Sequence, residues 1–168
     1  LENIIIDAEK KIVLVSPYLQ ISKTLIERLK DASNRHIKIK IIYGKDELKQ
    51  NERSALEEIQ NVEMYFFENL HAKCYFNESK MIITSMNMYE FSEKKNREMG
   101  ILIDAIIDKN IYDKGVNEVS SILQSSQQIE LSKSQHSNEN KSTYKYKGYC
   151  IRCSSKIPFN PSAPYCQD

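Results

Sequence analysis

No stretch of this 168-residue chain stays apolar for long. Runs such as Ile101-Leu102-Ile103 fall far short of the roughly 20 residues that a membrane-crossing helix needs. No charged-then-apolar segment opens the chain, so nothing reads as a secretory leader and the expected compartment is the cytoplasm. Because the sequence starts at Leu1, an initiator or an upstream segment is expected to have been trimmed or left out. There is no internal repeat, which matters below. Net charge is nearly absent too, at +1, but that balance hides an asymmetry. From Leu131 onward, six basic residues (Lys133, Lys141, Lys145, Lys147, Arg152 and Lys156) face two acids (Glu139 and Asp168), a net of +4 that leaves −3 on residues 1–130. A basic tail on a mildly acidic body can hold a polyanion by releasing its counterions, although a solvated linker has the same composition. Cysteine is scarce: Cys74 stands alone, and Cys150, Cys153 and Cys166 cluster at the end.

What is present is an ordinary globular balance, 28% charged and 40% hydrophobic, enough for one domain with a real core and a small appendage. Residues 12–16 form a β-branched run ended by Pro17, a buried strand by pattern. Ser22 can cap a helix whose apolar positions Leu25, Ile26 and Leu29 recur at helical spacing. Residues 37–43 alternate Ile and Lys up to Gly44, 52–60 read as helix, and Val62–Phe67 as strand. Strands alternating with helices of this length indicate an α/β sheet covered on both faces. Beyond it, His71–Asn77 and Lys80–Thr84 read as two strands joined by Asn77-Glu78-Ser79, a tight-turn sequence. Asn87–Lys95 reads as a short helix, Glu98–Asp104 as a strand, and about 108–129 as an amphipathic helix with Ile111, Val119, Ile122 and Leu123 inward. The domain is expected over residues 1–130. A flexible polar linker, with almost nothing to bury, is expected over 131–147, and a cysteine-rich segment over 148–168.

Side chains alternate along a strand, so His71, Lys73 and Tyr75 share one face while Cys74 takes the other, as a small core residue. A hairpin symmetric about Glu78 would set His71 opposite Ser85 and Lys73 opposite Ile83, with Asn87 on the same face if the strand runs on. An imidazole, an ammonium, a hydroxyl and a carboxamide on one patch suit a phosphate. Alone, His-x-Lys says little, since a strand-start His is commonly structural and a strand Lys commonly solvated. The cross-strand Ser85 and Asn87 strengthen it.

The stretch His71-Ala72-Lys73, then Thr84-Ser85-Met86-Asn87, then Asn96-Arg97-Glu98-Met99-Gly100, resembles the His-Lys-Asp motif of the phospholipase D superfamily. The likeness is greatest to its bacterial nuclease-like branch with one motif per chain, and it covers residues 1–130. Glu78 stands where that family usually has Asp, Thr84 where it has Gly, and the turn is one residue shorter. The resemblance implies a mixed β-sheet sandwiched between helices. It also implies a two-step phosphodiester hydrolysis through a phosphohistidine that needs no catalytic metal or cofactor. In that scheme His71 is nucleophile or proton carrier, Lys73 and Asn87 hold phosphoryl oxygens, Ser85 supports them, and Glu98 orients the His71 ring. The chemistry needs two motif copies and the chain has one. His36 matches His-x-Lys by letter but lacks a Ser-x-Asn partner strand, and His136 sits in the linker. A twofold homodimer with the site on its axis is therefore expected.

Cys150-x-x-Cys153 followed by Cys166 reads as three ligands of a structural zinc ribbon, cut off one residue before a second Cys-x-x-Cys closes; free thiols on a disordered stub are the plainer alternative. A ribbon grips nucleic acid or a protein. Three functions fit these residues. A metal-independent nuclease comes first. A phospholipid phosphodiesterase is disfavoured because no amphipathic membrane helix or aromatic cluster is present, and no membrane insertion is expected. The third is a catalytically slow nucleic-acid-binding module, for which Thr84 and the short turn leave room.

Overall fold

The computed structural model describes residues 1–45, 48, 50–89, 97–131, 147–149 and 156–158. Residue contacts divide the chain into two units, Leu1–Lys133 and Ser134–Asp168. In the second, strands Lys147–Tyr149 and Lys156–Pro158 pair antiparallel. The expected cysteine ligands 150, 153 and 166 lie outside the described residues, as does most of the expected linker.

The first unit is built on a seven-stranded mixed sheet. Strands β1 (Lys11–Val15), β3 (Lys38–Tyr43) and β4 (Val62–Phe66) run parallel, with β2 (Leu19–Gln20) lying outside the sheet. To one side β5 (Cys74–Asn77), β6 (Lys80–Thr84) and β8 (Gly100–Asp104) add antiparallel, where β7 (Met88–Tyr89) pairs instead with β2. To the other side β9 (Gln127–Ile129) closes on β4, giving the order β8-β6-β5-β1-β3-β4-β9. Burial on both faces explains the near-continuous apolar β1. Ile12, Leu14, Ile39, Ile41, Met64 and Tyr75 face helices α1 (Glu2–Ile6), α2 (Lys23–Asn34) and α3 (Gln50–Glu57). Val13, Val15, Ile42, Phe76 and Met81 face α4 (Lys109–Gln124) through Tyr112 and Val119. Each such fully buried side chain contributes about 1.5–3 kcal/mol.

Local signals set the α2 ends. The Ser22 hydroxyl accepts from Leu25 N, as expected of its cap. At the other end His36 N donates to Ser33 O and Ile37 N to Ala32 O, the two bonds of a Schellman cap. The left-handed position there, usually glycine, is held by His36 at φ 61°.

Four sequence expectations need correction. β5 begins at Cys74, so His71 and Lys73 precede the strand. The hairpin turn holds only Glu78 and Ser79, because the Asn77 Oδ1 accepts from Ser79 N and Lys80 N at 2.8 Å each and folds the chain back at once. The register is therefore Cys74↔Ile83, Tyr75↔Ile82, Phe76↔Met81, one residue away from symmetry about Glu78. Met88–Tyr89 extend into β7 rather than starting a helix; residues 90–96 lie outside the description. The last helix stops at Gln124, and Gln127–Ile129 turn back to complete the sheet edge. The short helix α1, which buries Ile4 and Ile5, carries no strong sequence signal.

Candidate active site

The corrected hairpin places the polar motif at one end of the sheet, at the carboxyl ends of the parallel strands, where α/β sheets commonly bind ligands. Lys73 ends opposite Thr84, whose N–H donates to Lys73 O at 3.2 Å. Alternation along β6 would turn Ser85 away from the Lys73 face, but β6 stops at Thr84 and the chain bends. The Ser85 N–H donates to Met99 O, and its hydroxyl accepts from Met99 N (3.0 Å) and donates to Glu98 Oε2 (2.5 Å). Ser85 and Glu98 thus form a direct pair, while among the described residues no hydrogen bond joins Glu98 to His71. The Lys73 ammonium donates to the His71 carbonyl at 3.3 Å, which curls the His-x-Lys segment upon itself. His71 is exposed, and among the described residues nothing hydrogen-bonds its imidazole.

Thr84 fits because its hydroxyl is used locally. It donates to Met99 O (2.9 Å) and accepts from Met86 N (3.1 Å). Opposite it stands Gly100, where an added Cβ would meet the Thr84 Cβ at 2.9 Å. The bulk that Thr brings is accommodated by the glycine on the neighbouring strand.

Asn87 is positioned by two buried hydroxyls. The Tyr75 hydroxyl donates to Met86 O at 2.8 Å. The buried Ser16 hydroxyl donates to Tyr18 O and accepts from Met88 N. The two bracket Asn87 on either side. Tyr75 is fully buried, and desolvation pushes its pKa up, so it remains a neutral donor. The Asn87 Oδ1 itself is shut away from solvent without a partner among the described residues. Such a group is costly unless something else completes it. The signal in the sequence was Ser16, a lone hydroxyl closing an apolar strand before Pro17.

Cys74 faces the α4 side, as expected, and burial pushes its thiol up to about 12, so it is inert. His36 caps α2 at the opposite end of β3 from the motif. Among the described residues no group of three or more His, Cys, Asp or Glu could hold a metal ion, and no helix is long and apolar enough to cross a membrane.

A family model described as cardiolipin synthase, PLD-like domain, matches residues 1–122. The chain belongs to the phospholipase D superfamily. Solved structures share the fold of this superfamily member at low identity. Nuc of Salmonella typhimurium, titled a phospholipase D family member, is 16% identical with a TM-score of 0.63 over 76% of this chain and 87% of its own. NucT from Helicobacter pylori is 18% identical with a TM-score of 0.63, covering 74% and 86%. Phosphatidylserine synthase of Haemophilus influenzae is 17% identical with a TM-score of 0.62, over 76% of this chain but 36% of that one. No curated protein sequence matches the chain. The mixed sheet with helices on both faces is thus the phospholipase D-like fold, and family membership supports a phosphodiesterase-type activity in general.

Proposed function

We propose that the chain is a nucleic-acid phosphodiesterase whose active site is completed by a second copy of itself. The observation that carries the reading is the uncommitted polarity at the sheet end. Among the described residues the His71 imidazole and the Asn87 Oδ1 have no protein partner, and the Lys73 ammonium is held only by the carbonyl of His71. A ring nitrogen of His71 attacks phosphorus and forms an N–P bond as the P–O bond to the leaving group breaks. The second copy's histidine supplies the proton to that oxygen, then takes one from the water that hydrolyses the phosphohistidine. Lys73 and the Asn87 amide N–H groups donate to the non-bridging oxygens and stabilise the charge gathering there. Glu98 and Ser85 act as the hydrogen-bonded pair that holds the rim of the site. The mechanism needs no metal. Salmonella Nuc and Helicobacter NucT share the fold, and the basic tail from residue 131 onward gives a polyanion a foothold.

The dimer reading is supported by β8, an edge strand beside Ser85. Met99, Ile101 and Leu102 on and beside it are 82%, 67% and 62% exposed, and Ile106 and Ile107 just after it are 87% and 84% exposed. An apolar surface of this kind marks an interaction site, and an open antiparallel edge can pair with its own copy about a twofold axis. The same side chains favour one other reading, a phospholipid substrate reached by dipping this surface into a bilayer.

The test is cleavage of single- and double-stranded DNA and RNA in EDTA by wild type and His71→Ala, with phosphohistidine trapped on His71. Loss of cleavage on substitution supports the reading, and activity indifferent to His71 removes it. Headgroup release from phospholipid vesicles without nucleic-acid cleavage selects the second reading. Tight, salt-dependent DNA binding without turnover identifies a binding module instead.

A further inference from the structure

Gly44 ends β3 where two loops of the site meet. On one side its N–H and that of Lys45 both donate to Pro17 O, at 3.2 and 2.9 Å. Pro17 follows Ser16, whose hydroxyl fixes Met88 N beside Asn87. On its other side lies the turn 67–70, closed by Leu70 N donating to Phe67 O at 3.0 Å and tied to β3 by Phe67 N donating to Tyr43 O at 2.9 Å. His71 is the next residue. The turn approaches so closely that a Cβ on residue 44 would stand 2.3 Å from Phe67 O and 2.4 Å from the Leu70 Cβ. Neither neighbour is the free end of a flexible side chain. One is backbone, and the other belongs to a residue 1% exposed.

We propose that Gly44 is a positioning residue: the bare backbone at this point sets the distance between the turn that carries His71 and the bracket that carries Asn87. The inference rests on the site proposed above. Any side chain at residue 44 must push the turn outward by about 1 Å to restore ordinary contact, because Pro17 O blocks retreat the other way. A displacement of that size between a nucleophile and the groups gripping the phosphate costs on the order of 100-fold in rate. Binding suffers less, since the phosphate still meets Lys73 and Asn87. Gly44 is not in a left-handed conformation, so the demand for glycine here is one of space.

The experiment uses the full chain with bis(p-nitrophenyl) phosphate as the probe, and compares wild type, Gly44→Ala, Leu70→Ala and Ile39→Val. Ile39→Val trims a core residue at the far end of β3 and controls for lost stability alone. Folded Gly44→Ala is expected to lose about 100-fold in kcat with KM changed by less than about threefold, and Ile39→Val to keep its kcat. Leu70→Ala, which loosens the turn without adding an atom at residue 44, shifts kcat in the same direction by a smaller factor and decides the matter if Gly44→Ala does not fold. Resonances of the His71 imidazole, recorded without ligand, are expected to move in Gly44→Ala and stay in Ile39→Val. A wild-type chain inert toward phosphodiesters defeats the functional reading alone, because the resonances still report the placement. Unmoved His71 resonances, or wild-type kcat in folded Gly44→Ala or Leu70→Ala, overturn the role of Gly44.

Discussion

Glu78 offers the sharpest test of how the hairpin is held in register. Its carboxylate accepts three consecutive backbone N–H groups where the chain enters β1, from Glu9 at 2.7 Å and from Lys10 and Lys11 at 3.2 Å. Partial desolvation works to raise its pKa, but those backbone donors outweigh it and the net shift is downward. A charge-assisted hydrogen bond is worth about 1.5–3 kcal/mol when sheltered. Here two of the three are long and the site is partly open to water, so the set contributes about 1–2 kcal/mol in all. Glu78→Gln keeps the shape and removes the charge. At pH 7 it should lower the melting temperature by about 4–8 °C, at roughly 4 °C per kcal/mol for a unit of this size. Folding lowers this carboxyl's pKa, so its stabilisation is complete above the unfolded value near 4.3 and fades as pH falls through the lower, folded value. Melting curves of wild type and Glu78→Gln should therefore draw together as the pH falls below the unfolded value. A gap that stays constant from pH 7 down to pH 3, or no gap at pH 7, would refute the argument.

Other outcomes follow from the same coordinates. His36→Gly relieves the left-handed strain at the end of α2 and should stabilise the fold by about 0.5–1 kcal/mol in denaturant titrations, with cleavage unchanged; a loss of cleavage would return His36 to the site. Replacing Ile101 and Ile107 together by Lys should turn a dimer into a monomer in sedimentation and abolish turnover while circular dichroism stays native, and an active monomer would contradict a shared site. Tyr75→Phe should cost about 1 kcal/mol and raise KM more than it lowers kcat, because the Met86 carbonyl loses its donor beside Asn87. A chain carrying the cysteine segment should bind one zinc by elemental analysis, and stripping it should leave catalysis by residues 1–130 intact.

The parallel half of the sheet was legible because its signals are local. A β-branched run ended by Pro17, a Ser22 cap and an Ile/Lys alternation each fix one element, and the structure places them within a residue or two. The hairpin register was not, since it turns on whether Asn77 enters the turn or the strand, a choice made by its side-chain Oδ1, and one residue decides which face each side chain takes. The strands β7 and β9 escaped for a related reason. Each is two or three residues long and owes its conformation to a distant partner, β2 or β4, which no window along the chain contains. Of the motif residues His71, Lys73, Ser85, Asn87 and Glu98, singled out by type and spacing, Ser85 and Glu98 hydrogen-bond beside the end of β6 and Lys73 lies across from Thr84. Glu98 pairs with Ser85 where an orienting bond to His71 was expected, because Ser85 leaves the strand and faces β8. Ser16 left a faint signal, a lone hydroxyl before Pro17, while Gly44 and Tyr75 gave none for the positions they hold. Their work is done through backbone atoms, and backbone contacts leave no mark in side-chain patterns.

The two rims of the sheet are unlike, and growth follows from that. One is the five-residue β8, rich in isoleucine and leucine. The other is β9, three residues long, with Gln127 and Gln128 turned to water. A stub of that kind is a poor template for another strand. Copies of the chain that join rim to rim have a single competent rim apiece, so joining consumes it on both partners at once. A pair formed in this way would be closed, with no free end to extend, and the greasy strand that could otherwise seed a filament would be spent in making it.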